Sequence, residues 1–117
     1  MKIVEIKTHI LAAPLAVPFA FSQGWVRTRA AMITEVVTDE GIVGWGEALC
    51  QGLQPPEIAA ATVEYALKPL VIGKDPLDVE VLWDIMYNQT KDYGQKGAVI
   101  GAISSIDVAL WDIIGKY

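Results

Sequence analysis

The sequence predicts an α+β fold, a three-stranded antiparallel meander followed by a three-helix layer. Two observations carry that prediction. Through the first half, apolar and polar residues alternate with the period of two that half-buried strands require. From Pro55 onward the apolar residues recur at helical spacing, and prolines and glycines punctuate the segments.

The first strand runs from Ile3 to Leu11, with Val4, Ile6, Thr8 and Ile10 on one face and Glu5, Lys7 and His9 on the other. Ala30 to Thr38 forms the second, with Met32, Thr34 and Val36 opposite Ile33 and Glu35. Thr38-Asp39-Glu40-Gly41 is hairpin chemistry, because Gly41 tolerates a positive φ, and Ile42 to Leu49 returns as the third strand. Between the first two strands, Ala13 to Val26 reads as a long connecting excursion holding Phe19, Phe21 and Trp25. A loop with three aromatics must pack on something, and long ordered loops carry function disproportionately. A second irregular stretch spans Cys50 to Gln54.

The first helix opens at Pro55-Pro56, where an initial turn accepts proline, and Ile58, Ala61, Thr62, Tyr65 and Pro69 track one face. Pro69 ends or kinks it. Asp75, Pro76 and Asp78 form a cap for the second helix, whose buried stripe is Val79, Leu82, Trp83, Met86 and Tyr87. The last helix, Ala98 to Ile114, is apolar over most of its circumference. Its four polar side chains, Ser104, Ser105, Asp107 and Asp112, fall within an arc of about 160°. Gly115 is suited to ending it. A helix this apolar needs cover on more than one side, so the chain is expected to be one part of a larger protein.

Composition narrows the function classes. The 117 residues suffice for one domain and one core, residues 1–117. A hydrophobic content of 53% excludes disorder and implies a large core or an interface. A formal net charge of −5 disfavours nucleic-acid backbones, and the only near-cluster of cations is Arg27 with Arg29. One cysteine, Cys50, forbids an intrachain disulfide and suits a cytoplasmic setting. The N-terminal segment, carrying Glu5, is no signal peptide, and the polar residues in the last helix argue against a membrane span.

No catalytic set is complete. His9 lacks a local serine or carboxylate partner and reads as a solvated strand residue. Asp107 and Asp112 lie about 140° apart around a helix, so they do not converge, and capping or interface hydrogen bonding suits them better. Glu47 reads as a strand-end acid, Cys50 as a small apolar residue beside the second loop, and Gly94-Gln95-Lys96-Gly97 as a helix lead-in. No cluster has zinc or calcium spacing.

Four segments together resemble the N-terminal capping domain of the enolase superfamily, nearest the mandelate racemase and muconate lactonizing enzyme group. They are Ile3-Val4-Glu5-Ile6-Lys7-Thr8-His9, Gly41-Ile42-Val43-Gly44-Trp45-Gly46-Glu47-Ala48, Ile72-Gly73-Lys74-Asp75-Pro76, and the run from Ser104 through Asp107, Trp111 and Asp112 to Lys116. The resemblance implies a following (β/α) barrel, absent from these residues. That barrel would hold Mg2+ and lysine or histidine bases that abstract the proton α to a carboxylate, in racemisation, cycloisomerisation or sugar-acid dehydration. It implies that the cap closes over substrate with two loops, Val17 to Arg27 and Ala48 to Pro55. The substrate contacts it implies here are Phe19, Phe21, Trp25, Cys50 and Gln51, with no catalytic or metal-binding residue in this chain. Partners on this reading are the barrel, a small carboxylate and further copies in a homo-oligomer. A rival reading is a stand-alone oligomerisation module built on the last helix.

Overall fold

The computed structural model describes residues 1–50 and 52–117. Three antiparallel strands in the order β1-β2-β3 form one sheet: β1 Ile3–Phe21, β2 Gly24–Thr38 and β3 Val43–Ala48. Helical segments α1 Pro56–Ala61, a π-helical stretch Thr62–Leu67 and α2 Lys68–Val71 follow without a break, then α3 Val79–Thr90 and α4 Ala98–Lys116. This is the expected meander and helix layer. Gly41 takes φ +81° in the β2–β3 turn, as its sequence context requires.

The Ala13–Val26 excursion is not a loop. Both strands continue through it as a long hairpin, pairing Phe19 with Val26, Ala20 with Trp25 and Phe21 with Gly24 across a turn at Ser22-Gln23. Pro14 and Pro18 are tolerated because β1 is an edge strand, where a missing N–H costs no ladder bond. The ladder is interrupted between Pro14 and Phe19, where five residue steps of β1 face two of β2. A second irregularity between Ile3 and Glu5 leaves Val4 out of register, so Ile3 and Ile6 are buried while Val4 and Ile10 are exposed, against the simple alternation.

The first helix also turns the other way from its expected face. Pro56, Ala59, Ala60, Val63, Leu67 and Val71 are buried, and Ile58, Ala61 and Tyr65 face out. Apolar residues lie on both faces here, so periodicity alone could not choose. The helix passes through Pro69 for one more turn. The ring of Pro69 would crowd the carbonyl four residues back, and a π-helical stretch immediately precedes it, with the Lys68 N–H bonding Val63 instead. The expected cap at Asp75 serves a turn instead: its carboxylate accepts the Leu77 N–H at 3.0 Å, Asp78 makes no side-chain cap, and α3 starts at Val79. Of the α3 stripe, Val79, Leu82 and Met86 are buried, whereas Trp83 is partly exposed and stacked on Tyr87 at 5.0 Å between ring centroids.

Helix α4 lies directly against β3. Gly44 and Gly46 are the reason: a Cβ at Gly44 would overlap the Ala109 carbonyl oxygen, and one at Gly46 that of Ser105. The open edge of β3 is closed from the same helix. Asp112 accepts the Trp45 N–H at 2.9 Å, and Lys116 donates to the Val43 carbonyl at 2.8 Å and to Asp112 at 2.6 Å. Those donors, Lys116 foremost, hold the Asp112 carboxyl below its usual range. Gly115 lies inside α4, which runs on to Lys116.

Ser105, expected on the polar arc, is buried. Its hydroxyl shares a 2.7 Å hydrogen bond with Thr34 of β2 and donates to the Ala102 carbonyl at 2.7 Å. Around it Ile103, Ile106, Ala109, Leu110 and Ile113 join Ile3, Ile6, Met32 and Val36 in one core. Helix α4 has the length and mean hydropathy, 1.7, of a membrane span, and this packing accounts for that apolarity within a folded domain.

Candidate functional site

The hairpin tip and the segment after β3 meet at one end of the sheet. Gly52, at φ +70°, sits against the Val26 side chain, which is fully buried there, and Leu53 lies over Gly24. Only a residue without a Cβ fits Gly52, on both counts of conformation and space. Between the two segments opens a concavity of about 410 Å3, lined by Phe19, Phe21, Val26, Arg29, Leu49 and Gly52. A second, of about 360 Å3, adjoins it through Arg29 and Leu49 and is lined also by Ala13, Glu47 and Cys50.

Phe19, Phe21 and Cys50 therefore gather at this end, as expected of them. Trp25 does not line either hollow. It pairs with Ala20, one position out of phase with Val26, and so points to the opposite face of the hairpin, with the Arg27 guanidinium 5.7 Å from its ring centroid. Gln51 lies outside the described residues. Sequence reasoning missed Arg29, whose guanidinium lies 5.0 Å from the Phe19 ring centroid. Its signal was present in the Arg27–Arg29 pair, the one place where cations gather.

Cys50 is buried, with its thiol 3.5 Å from the Ala48 carbonyl, and burial pushes the thiol pKa up. A raised thiol pKa means less thiolate at any given pH, so Cys50 is no nucleophile near neutrality. Labelling with a disulfide reagent at pH 8 is expected to run at least about tenfold slower in the folded protein than in urea. Equal rates would show an open, ionised thiol.

His9 does have a carboxylate partner, across the strands rather than nearby in sequence. Its Nε2 lies 2.8 Å from Glu35 Oε2, while Lys7 reaches Glu35 Oε1 at 3.3 Å. The His9 hydrogen bond is the main cause of the lowered Glu35 pKa. This trio, with Trp45 beside His9 at 5.8 Å between ring centroids, lies on the sheet face away from the core and lines neither hollow. Asp107, whose pKa is raised by desolvation, lines a separate hollow with Trp83 and Trp111, well apart in role from Asp112. Among the described residues no three His, Cys, Asp or Glu side chains are grouped to hold a metal ion. The site can supply apolar walls and one cation, but no base or nucleophile.

A specificity surface of this kind, without machinery of its own, defines a domain that works with another. The chain belongs to the mandelate racemase / muconate lactonizing enzyme family, as its N-terminal domain, with the family model matching residues 3–117. It is 41% identical over 117 residues to the D-galactarolactone cycloisomerase of Agrobacterium fabrum, spanning 100% of this chain and 30% of that enzyme. Over 83 residues it is 45% identical to the arabinonate dehydratase of Saccharolobus solfataricus, covering 71% of this chain and 22% of that one. The crystal structure of the N-succinyl Arg/Lys racemase from Bacillus cereus superposes with a TM-score of 0.85 at 35% identity, over 99% of this chain and 31% of the racemase. The chain thus spans less than a third of the length of each of these relatives.

Proposed function

We propose that residues 1–117 form the closing and specificity domain of a two-domain enzyme that abstracts the proton α to a carboxylate, as a racemase, cycloisomerase or sugar-acid dehydratase. The observation that carries this reading is the convergence of the hairpin tip and the Cys50 segment on a shared hollow that has walls but no chemistry. Phe19, Phe21 and Leu49 would exclude water from a neighbouring barrel and contact the end of the substrate remote from the reacting carbon. The Cys50–Gln51 segment would form the second wall, and Trp25 would act only from the outer face of the hairpin. Magnesium, which the family resemblance implies, finds no ligand set among the described residues, and its ligands are assigned to that barrel.

Two further apolar surfaces support partners. Val108, Trp111 and Trp83 are exposed on the α4–α3 side, and Ile58, Tyr65 and Tyr93 on the outer face of the first helix. We assign them to contact with the barrel and with other copies in a cytoplasmic homo-oligomer. A stand-alone oligomerisation module is the alternative, favoured by the same surfaces but leaving the hollow unexplained.

In the full-length enzyme Phe21→Ala is expected to lower kcat/KM by about tenfold or more, the scale of losing apolar contact in a closed pocket. Trp25→Ala should cost less than Phe21→Ala. Unchanged kcat/KM for Phe21→Ala across a panel of carboxylic acids would overturn the proposal.

A further inference from the structure

The hollow at the hairpin tip has a single charged lining residue among the described residues, Arg29. Its guanidinium is held against the Phe19 ring by a cation–π contact, which fixes the plane of the group at an apolar wall. The ion pairs among the described residues engage the N-terminus, Lys7, His9, Lys68 and Lys116, and none engages Arg29. Glu47 shares the adjoining hollow with Arg29 but does not pair with it. Arg27, the other nearby cation, is committed to Trp25 on the opposite face.

A guanidinium cannot lose its charge, and its fork of N–H donors matches the two oxygens of a carboxylate. With one face on an aromatic ring and apolar neighbours keeping water thin, its donor edge is the polar feature a ligand would meet. One guanidinium answers one carboxylate. A phosphate dianion would call for more donors, and Glu47 nearby opposes additional negative charge.

We propose that Arg29 is a specificity-determining residue that binds a second carboxylate, at the end of the substrate remote from the carbon that loses its proton. The substrate class is then a dicarboxylic acid or its monolactone rather than a monocarboxylic one. This rests on the reading of the chain as the closing domain, since that reading supplies the reacting carboxylate.

The test is made on the full-length enzyme with two probes, a six-carbon aldaric acid and the aldonic acid of the same configuration. The wild type is expected to favour the diacid by about tenfold or more in kcat/KM, and R29M to abolish that preference, chiefly through KM. R29K, which keeps the charge but not the fork, should recover only part of it. Circular dichroism verifies folding, and R29Q makes the same measurement if R29M does not fold. A wild type without preference for the diacid, or a preference that survives in R29M, overturns the assignment. If it fails while turnover of the monoacid still falls in Phe21→Ala, the Arg29 inference alone is lost. Turnover or binding of no carboxylic acid at all overturns the closing-domain reading, and this inference with it.

Discussion

Replacing Gly46 with alanine is expected to destabilise the protein by at least about 3 kcal/mol, the upper end of what an added methyl group costs in a packed core. The reason is the obstacle it would meet. A Cβ at Gly46 overlaps the Ser105 carbonyl oxygen and stands 3.0 Å from the Ala109 nitrogen, both backbone atoms of α4. A flexible side chain could move aside, but here helix and strand must separate. Separation would also stretch the Thr34–Ser105 hydrogen bond and the Asp112 and Lys116 contacts that close the β3 edge. Gly44→Ala meets the Ala109 carbonyl in the same way. Gly115→Ala is the control, because nothing lies within 4 Å of its added methyl and the position is helical. It should be neutral or stabilising by up to about 1 kcal/mol. Urea midpoints for the three variants decide the matter, and a Gly46→Ala protein as stable as wild type would mean that α4 does not rest on β3 as described.

The same contact explains which parts of the sequence were legible. The Gly-Trp-Gly-Glu strand and the Asp-Val-Ala-Leu-Trp-Asp helix read as separate motifs, and they are the two halves of one interface. The meander was legible because Asp39-Glu40-Gly41 permits one sharp turn and the flanking strands alternate. The hairpin extension was not, because Pro14, Pro18 and three aromatics are the usual marks of a loop. Only the edge position of β1 and its interrupted ladder make them compatible with a strand, and edge position is a property of the assembled sheet. The exposed placement of Ile58 and Tyr65, the burial of Ser105 and the pairing of His9 with Glu35 were hidden for a related reason. Each depends on a partner far along the chain. In the candidate site, Phe19, Phe21 and Cys50 were reached through family resemblance, while Arg29 could not be singled out until Phe19 was known to lie against it.

Helix α4 poses the sharpest form of that problem, since its sequence is apolar on more than one side, and substitution distinguishes the sides. Ile106 is fully buried among sheet and helices, so Ile106→Ala is expected to cost about 2–5 kcal/mol, transfer and cavity together. Trp111, one and a half turns on, is 56% exposed, and Trp111→Ala should shift the stability of the chain by less than about 0.5 kcal/mol. Paired denaturation curves measure both. A small cost at Ile106 would contradict the packing of α4 on the sheet. A cost at Trp111 as large as that at Ile106 would mean its indole is covered by something beyond these residues' own fold, as when copies associate. The pair therefore separates the face of α4 that builds the domain from the face that remains for a partner.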